Sequence, residues 1–99
     1  MAVSASDDLL ATASAFLVAL RVGEGYKEEL LLPLCDALRA CASEWKHSDS
    51  IPKSGAEVIV GMHCDILIGG DLYRGDEAEA IYTAAATIAG LIQDCLSSD

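Results

Sequence analysis

The amino-acid sequence predicts an all-α domain, an antiparallel four-helix bundle with up-down order. Four segments carry apolar residues at helical spacing, and the connections between them are short and polar. The chain is 53% hydrophobic with a mean hydropathy of +0.36, enough to form a core. We therefore expect residues 1–99 to form a single small helical domain.

The first predicted helix begins at Ser6, a residue type that caps helices, and ends at Gly23. Asp7 and Asp8 follow the cap, where carboxylates stabilise the first turn. The apolar positions that share one face are Leu9, Ala13, Phe16, Leu17 and Leu20.

The second predicted helix runs from Tyr26 to Lys46. Its apolar stripe consists of Leu31, Leu34, Cys35, Leu38, Ala42 and Trp45. Pro33 removes a backbone hydrogen bond from the interior of such a helix. Either the helix kinks there, or it begins near Pro33 and residues 26–30 form a separate short turn.

The third element has the most ambiguous pattern. After a polar loop, Ser54 to Glu57 fits a capping box, and Ser50 followed by Pro52 is a competing start. Its β-branched residues and a central glycine are unfavourable in a helix. Helical spacing nevertheless places Ile59, Met62, Ile66, Gly70 and Tyr73 on one face, so we predict a helix; the alternative is an α+β domain in which residues 57–70 form strands.

The fourth predicted helix begins at Asp76, with Glu79 completing a capping box and Gly75 forming the turn before it. The apolar stripe is long and regular. It consists of Ile81, Ala84, Ala85, Ile88, Leu91, Ile92 and Cys95.

Catalytic and metal chemistry find little support in the spacing of reactive residues. The candidate ligands are Cys35, Cys41, Cys64, Cys95, His47 and His63, and they form no CxxC or HxxxH motif. His63, Cys64 and Asp65 are consecutive, so on a helix they face different directions and form no triad, and Asp65 is expected at the helix rim beside Glu57 and Gly61. We predict a protein that is not an enzyme, without metal or cofactor, whose cysteines are buried free thiols.

The charge narrows the choice of partners. Sixteen acidic against six basic residues give a formal charge of −10, which repels nucleic acid and anionic lipid and favours a protein with a basic surface. No apolar run reaches the length of a membrane span, and residues 1–8 lack the basic start of a signal peptide. We expect a cytoplasmic protein that binds neither nucleic acid nor membrane directly.

In an up-down bundle, the first and third interhelical connections lie at the same end. The predicted partner-binding residues at that end are Glu24, Tyr26, Glu28, Glu29, Asp71, Tyr73, Asp76, Glu77, Glu79 and Tyr82. Tyrosines supply rigid contact area, and carboxylates steer a basic partner. The competing interpretation is that the carboxylates stabilise the helix starts and that Tyr73 and Tyr82 belong partly to the core.

These features lead to two functional hypotheses, and a third, a small enzyme or cofactor carrier that uses His63 and a cysteine, has no catalytic spacing to support it. The first is an inhibitor of the immunity or phage anti-defence type that occupies a basic, nucleic-acid-binding or nuclease surface of another protein; this is an analogy of size, charge and architecture without a shared motif. The second is a structural or regulatory subunit that homodimerises through surplus apolar surface on the side of Leu32 and Ile68.

Overall fold

Four helices and their connections make up the computed structural model, which describes residues 5–46 and 50–96. The helices are α1 (Ala5–Arg21), α2 (Glu28–Trp45), α3 (Lys53–Gly70) and α4 (Gly75–Leu96). No strand occurs within these ranges. The predicted all-α four-helix bundle is therefore confirmed, and the α+β alternative is wrong.

α3 is helical because a helix brings its apolar residues onto one face that packs into the core. Ile59, Met62 and Ile66 are almost fully buried at the spacing of one helix face. Its last residues, Gly69 and Gly70, allow close packing, since a Cβ at Gly70 would lie 2.7 Å from the Tyr82 ring. Tertiary packing thus outweighs the β-propensity of this segment.

The chain direction alternates from helix to helix, as predicted, but the order around the bundle is α1, α2, α4, α3. Each of α1 and α4 packs against both α2 and α3, whereas α2 and α3 lie on opposite corners. The connection after α2 therefore crosses the bundle diagonally. As a result, the neighbours α1 and α3 run parallel, and so do α2 and α4.

The core runs the full length of the bundle. Its largest fully buried side chains include Phe16, Leu34, Leu38 and Ile88, drawn from α1, α2 and α4. At the end where α1 and α3 begin, Trp45 is buried over Gly55. A Cβ at Gly55 would lie 2.7 Å from the Trp45 ring, so this close approach requires a glycine.

Several predicted helix ends are wrong by one or a few residues. α1 already contains Ala5, so the buried Ser6 is not its cap. α3 begins at Lys53, and Pro52 occupies the cap position with an extended backbone, so neither Ser54 nor the competing Ser50 is the cap. α4 begins at Gly75, so Asp76 lies inside its first turn.

Pro33 does not divide the second helix. α2 is continuous from Glu28 to Trp45, so the separate turn over residues 26–30 does not form. Pro33 is exposed near the start of the helix, where only the carbonyl of Glu29 loses its usual amide partner.

The cysteines divide into two environments. Cys35, Cys41 and Cys95 are buried free thiols, as predicted, but Cys64 is exposed because it lies on the side of α3 that faces away from the core. Its predicted burial is wrong. His47, the other metal candidate beside His63, lies outside the described residues.

Candidate protein-binding surface at the acidic end

Two interhelical connections meet at one end of the bundle. We define the acidic end as residues 21–30 and 71–82, which contain the α1–α2 and α3–α4 connections and the starts of α2 and α4. All ten predicted partner-binding residues belong to it. It carries seven carboxylates against the three basic side chains of Arg21, Lys27 and Arg74.

Tyr73 joins the two connections. Its hydroxyl accepts a hydrogen bond from the Gly25 amide at 3.0 Å and donates one to the Leu20 carbonyl at 2.8 Å. The same hydroxyl thus satisfies the end of α1 and the connection that follows it. Tyr73 is half-buried against the core, so its role here is structural.

Glu77 provides the second link. One carboxylate oxygen, Oε2, accepts a hydrogen bond from the Tyr26 amide at 2.9 Å. Gly25 has a φ of 88° in the left-handed region, and a Cβ there would collide with the Glu77 carboxylate. The backbone conformation therefore favours a glycine at residue 25, and a side chain there would displace the Glu77 carboxylate from its bond to Tyr26.

The remaining tyrosines differ in exposure. Tyr26 is half-buried with its ring edge-on to Phe16, the centroids being 6.3 Å apart at 88°. Burial, followed by the nearby charge of Glu28, raises the pKa of Tyr26. Tyr82 is exposed and donates a hydrogen bond to Asp71, and this bond is the main reason that the pKa of Tyr82 is raised.

The carboxylates fall into two groups. Three of them have partners within this end: Glu77 and Asp71 accept the hydrogen bonds just described, and Glu24 pairs with Lys27 at 3.4 Å. The other four are exposed in the first turns of α2 and α4 or just beyond: Glu28, Glu29, Asp76 and Glu79. The acidic end therefore presents exposed carboxylates at the starts of two helices, and the connections that precede these helices are joined by hydrogen bonds.

The sequence pattern missed the residues that hold this end together. Gly25 and the Leu20 carbonyl were not among the predicted site residues, although Gly23-Glu24-Gly25 is a pattern that suits positive φ values, which both glycines adopt. The partner of Gly25 is Tyr73, 48 residues away in the chain. That pairing depends on the tertiary arrangement, so local spacing could not have shown it.

A groove between α1 and α3 lies apart from the acidic end. It has a volume of about 350 Å³ and is lined mainly by apolar side chains, with Glu57, Gly61 and Asp65 along its α3 edge. The predicted grouping of these three residues at the helix rim is confirmed, but the groove itself was not predicted.

Comparisons with protein-family models, curated protein sequences and solved structures yield no match for this chain. Within residues 5–46 and 50–96, no group of three His, Cys, Asp or Glu side chains is placed to hold a metal ion. None of the helices in the same ranges combines the length and apolar character needed to cross a bilayer.

Proposed function

We propose that this protein is a binding module for a basic protein surface, and that it acts as an inhibitor by covering that surface with its acidic end. The targets that fit this chemistry are proteins whose basic surface binds nucleic acid, such as a nuclease, because an array of carboxylates competes with phosphates for the same Lys and Arg side chains. This mode of action is that of an immunity or phage anti-defence protein.

The observation that carries the proposal is a group of exposed carboxylates held at helix starts whose connections are hydrogen-bonded to each other. Glu28, Glu29 and Asp76 extend from helix starts whose connections are joined by Tyr73 and Glu77. These hydrogen bonds support binding because connections that are already ordered lose less conformational entropy when the partner binds. The exposed ring of Tyr82 adds apolar contact area beside the carboxylates.

The energetic role of the carboxylates is mainly in association. Each exposed ion pair contributes only about 0–1 kcal/mol. The summed field of the acidic end instead raises the rate of encounter with a basic partner and disfavours acidic ones. Salt should therefore weaken capture by slowing association.

The test begins with purification of the tagged protein from its native host and identification of the protein that co-elutes. A charge-reversed variant with Glu29→Lys and Asp76→Lys leaves the Tyr73 and Glu77 hydrogen bonds intact. We expect its association rate with that partner, measured by surface plasmon resonance, to fall by about tenfold or more at low salt.

The matched control carries Glu44→Lys and Asp94→Lys, two exposed carboxylates outside the acidic end. It changes the net charge equally and should retain most of the association rate. Equal losses in both variants would show that only the net charge matters, and undiminished capture by the first variant would contradict the proposed surface.

Homodimerisation is the second candidate, because α3 leaves Val60 and Ile68 exposed. The side first suggested for it does not form one surface: Leu32 lies on α2 and Ile68 on α3, at opposite corners of the bundle. Sedimentation over a range of concentrations tests this candidate, and a monomer at high concentration would exclude it.

A further inference from the structure

A groove runs along the edge of the contact between the parallel helices α1 and α3. Leu10, Ala13 and Leu17 line it from α1, and Val58 and Met62 line it from α3. Its volume of about 350 Å³ lies within the range of binding pockets. Ala13 and Met62 are almost fully buried and form its floor, whereas Leu10 is half exposed at its edge.

A second cavity of about 80 Å³ extends the groove toward the acidic end. The two cavities share Leu17 and Asp65, and the second also includes Ile68 and two residues of the acidic end, Arg21 and Leu72. Leu10 is 49% exposed, Ile68 61% and Leu72 63%. An open apolar strip therefore follows α1 and α3 over several turns.

Gly61 lies in the wall of this groove, and the packing of the fold does not require a glycine there. Its φ is that of an ordinary helix, and a Cβ at this position would meet only the Asp65 carboxylate, at 3.7 Å. A mid-helix glycine costs roughly 1 kcal/mol relative to alanine. Gly55 and Gly70, by contrast, are needed for close packing.

The groove also has a defined charge pattern. Glu57, Gly61 and Asp65 are spaced four residues apart, so they form one row along α3 with a carboxylate on each side of the glycine. The Cα atoms of Glu57 and Asp65 lie about 12 Å apart along the helix axis, from the rise of about 1.5 Å per residue, and the Asp65 carboxylate reaches to within 3.7 Å of the place that a Cβ at Gly61 would occupy. A gap over an apolar floor, flanked by two carboxylates, suits an apolar side chain that is flanked by cations.

We propose that this groove binds an amphipathic helix of the partner protein, with apolar side chains inserted over Gly61 and with Lys or Arg residues about two turns apart pairing with Glu57 and Asp65. The inference rests on the proposed function in taking the partner to be basic. It adds a second contact, away from the acidic end, in which apolar burial supplies affinity that exposed charges do not.

Charge favours such a segment over a second copy of this chain. A copy would bring its own net charge of −10 and its own Glu57 and Asp65 toward the same carboxylates. Like charges at an interface oppose association. A cationic helix meets the same groove with complementary charge.

The test uses a synthetic amphipathic Leu/Lys helix of about 15 residues, roughly four turns, titrated into the full-length protein labelled with ¹⁵N. We expect saturable amide shift changes at Ser14, Leu17, Val58 and Gly61. A matched peptide with Glu in place of Lys should produce none of these changes. Shifts confined to the acidic end would overturn the proposal.

Two glycine variants make the test specific. Gly61→Leu places a side chain in the groove, and Gly90→Leu adds the same side chain to α4, where a Cβ would meet nothing within 4 Å. We expect Gly61→Leu to weaken peptide binding by about tenfold or more, equivalent to about 1.4 kcal/mol, and Gly90→Leu to leave it within about twofold. Circular dichroism confirms that both variants remain folded.

Equal affinity of the two variants for the peptide would overturn the proposal. So would shift changes at the groove that depend on protein concentration alone, because they would make the occupant a second copy. The proposed function is tested separately by Glu29→Lys with Asp76→Lys. If that variant loses the native partner while the groove fails to bind the peptide, only the groove assignment fails.

Discussion

The bundle contains two contacts between parallel helices, and they differ in how completely they are sealed. In the α2–α4 contact, Leu38 is fully buried and its carbonyl accepts a hydrogen bond from the Cys95 thiol at 3.2 Å. In the α1–α3 contact, Leu10 is half exposed and the groove opens beside Gly61. Both contacts thus bury core side chains, and the α1–α3 contact also has an open groove along its edge.

The difference arises from the residues rather than from the topology. The buried side of α4 carries the small side chains Ala84 and Ala85, which allow a helix to approach closely. The outer side of α3 carries Val60 and Ile68, which are 82% and 61% exposed. Truncation of buried residues should therefore cost much more stability than truncation at the exposed edge of the groove.

Truncation of core and groove residues gives the largest predicted contrast. Leu38→Ala removes a fully buried side chain and should lower the free energy of unfolding by about 2–5 kcal/mol. Leu10→Ala, at the half-exposed groove edge, should cost well under that, about 0.5–1 kcal/mol. Urea unfolding followed by circular dichroism measures both values, and similar losses would contradict the contrast.

Alanine substitution of two glycines tests whether the packing of the fold requires the glycine in the groove wall. Gly61→Ala should raise the free energy of unfolding by about 0.5–1 kcal/mol, since the new methyl group meets no obstacle. Gly55→Ala should lower it, because its Cβ would fall against the Trp45 ring. A destabilised Gly61→Ala variant would mean that packing requires this glycine after all.

High pH should lower the free energy of unfolding through the buried thiols of α2 and α4. This effect should be more gradual than those of the substitutions above, and smaller. Burial, and then the neighbouring Cys95, raises the pKa of Cys41 from its ordinary 9.0 to about 11. The folded state therefore holds a proton that the unfolded chain loses, so stability is complete below pH 9 and falls as the pH rises toward 11. Burial also raises the pKa of Cys95, which acts in the same direction.

Thermal unfolding between pH 8 and about 11 measures this slope. Cys41→Ala should reduce it, because the variant has no thiol to ionise at this position. Cys64→Ala, which removes the exposed thiol, serves as the control and should keep the wild-type slope. An unchanged slope in Cys41→Ala would assign the pH dependence to other groups.

The sequence was sufficient for the helices but not for their lateral order. The apolar stripes of α1, α2 and α4 repeat at helical spacing, so these elements follow from periodicity. The polar connection after α2 could reach either an adjacent or a diagonal corner, and nothing in its composition distinguishes the two. The helix ends were missed because Ser6, Ser54 and Asp76 are good caps that also lie comfortably in a first turn.

The candidate surfaces were predictable to different degrees. The collection of acidic residues at one end follows from alternating helix direction and was predicted. The hydrogen bonds of Tyr73 and Glu77 were not predicted, since each of these residues accepts a bond from a backbone amide about 50 residues away in the chain. The groove was missed because α3 is apolar on both sides. Periodicity alone does not show which of its apolar residues stay exposed, and Cys64 and Ile68 are two that do.

The parallel direction of α1 and α3 also gives the groove an electrical polarity. Both helices begin at the Trp45 end and finish near Leu72, so their macrodipoles add side by side. The groove is then partially positive where the helices start and partially negative where they finish. A helical occupant is stabilised when it runs antiparallel to both, with its amino terminus beside the acidic end.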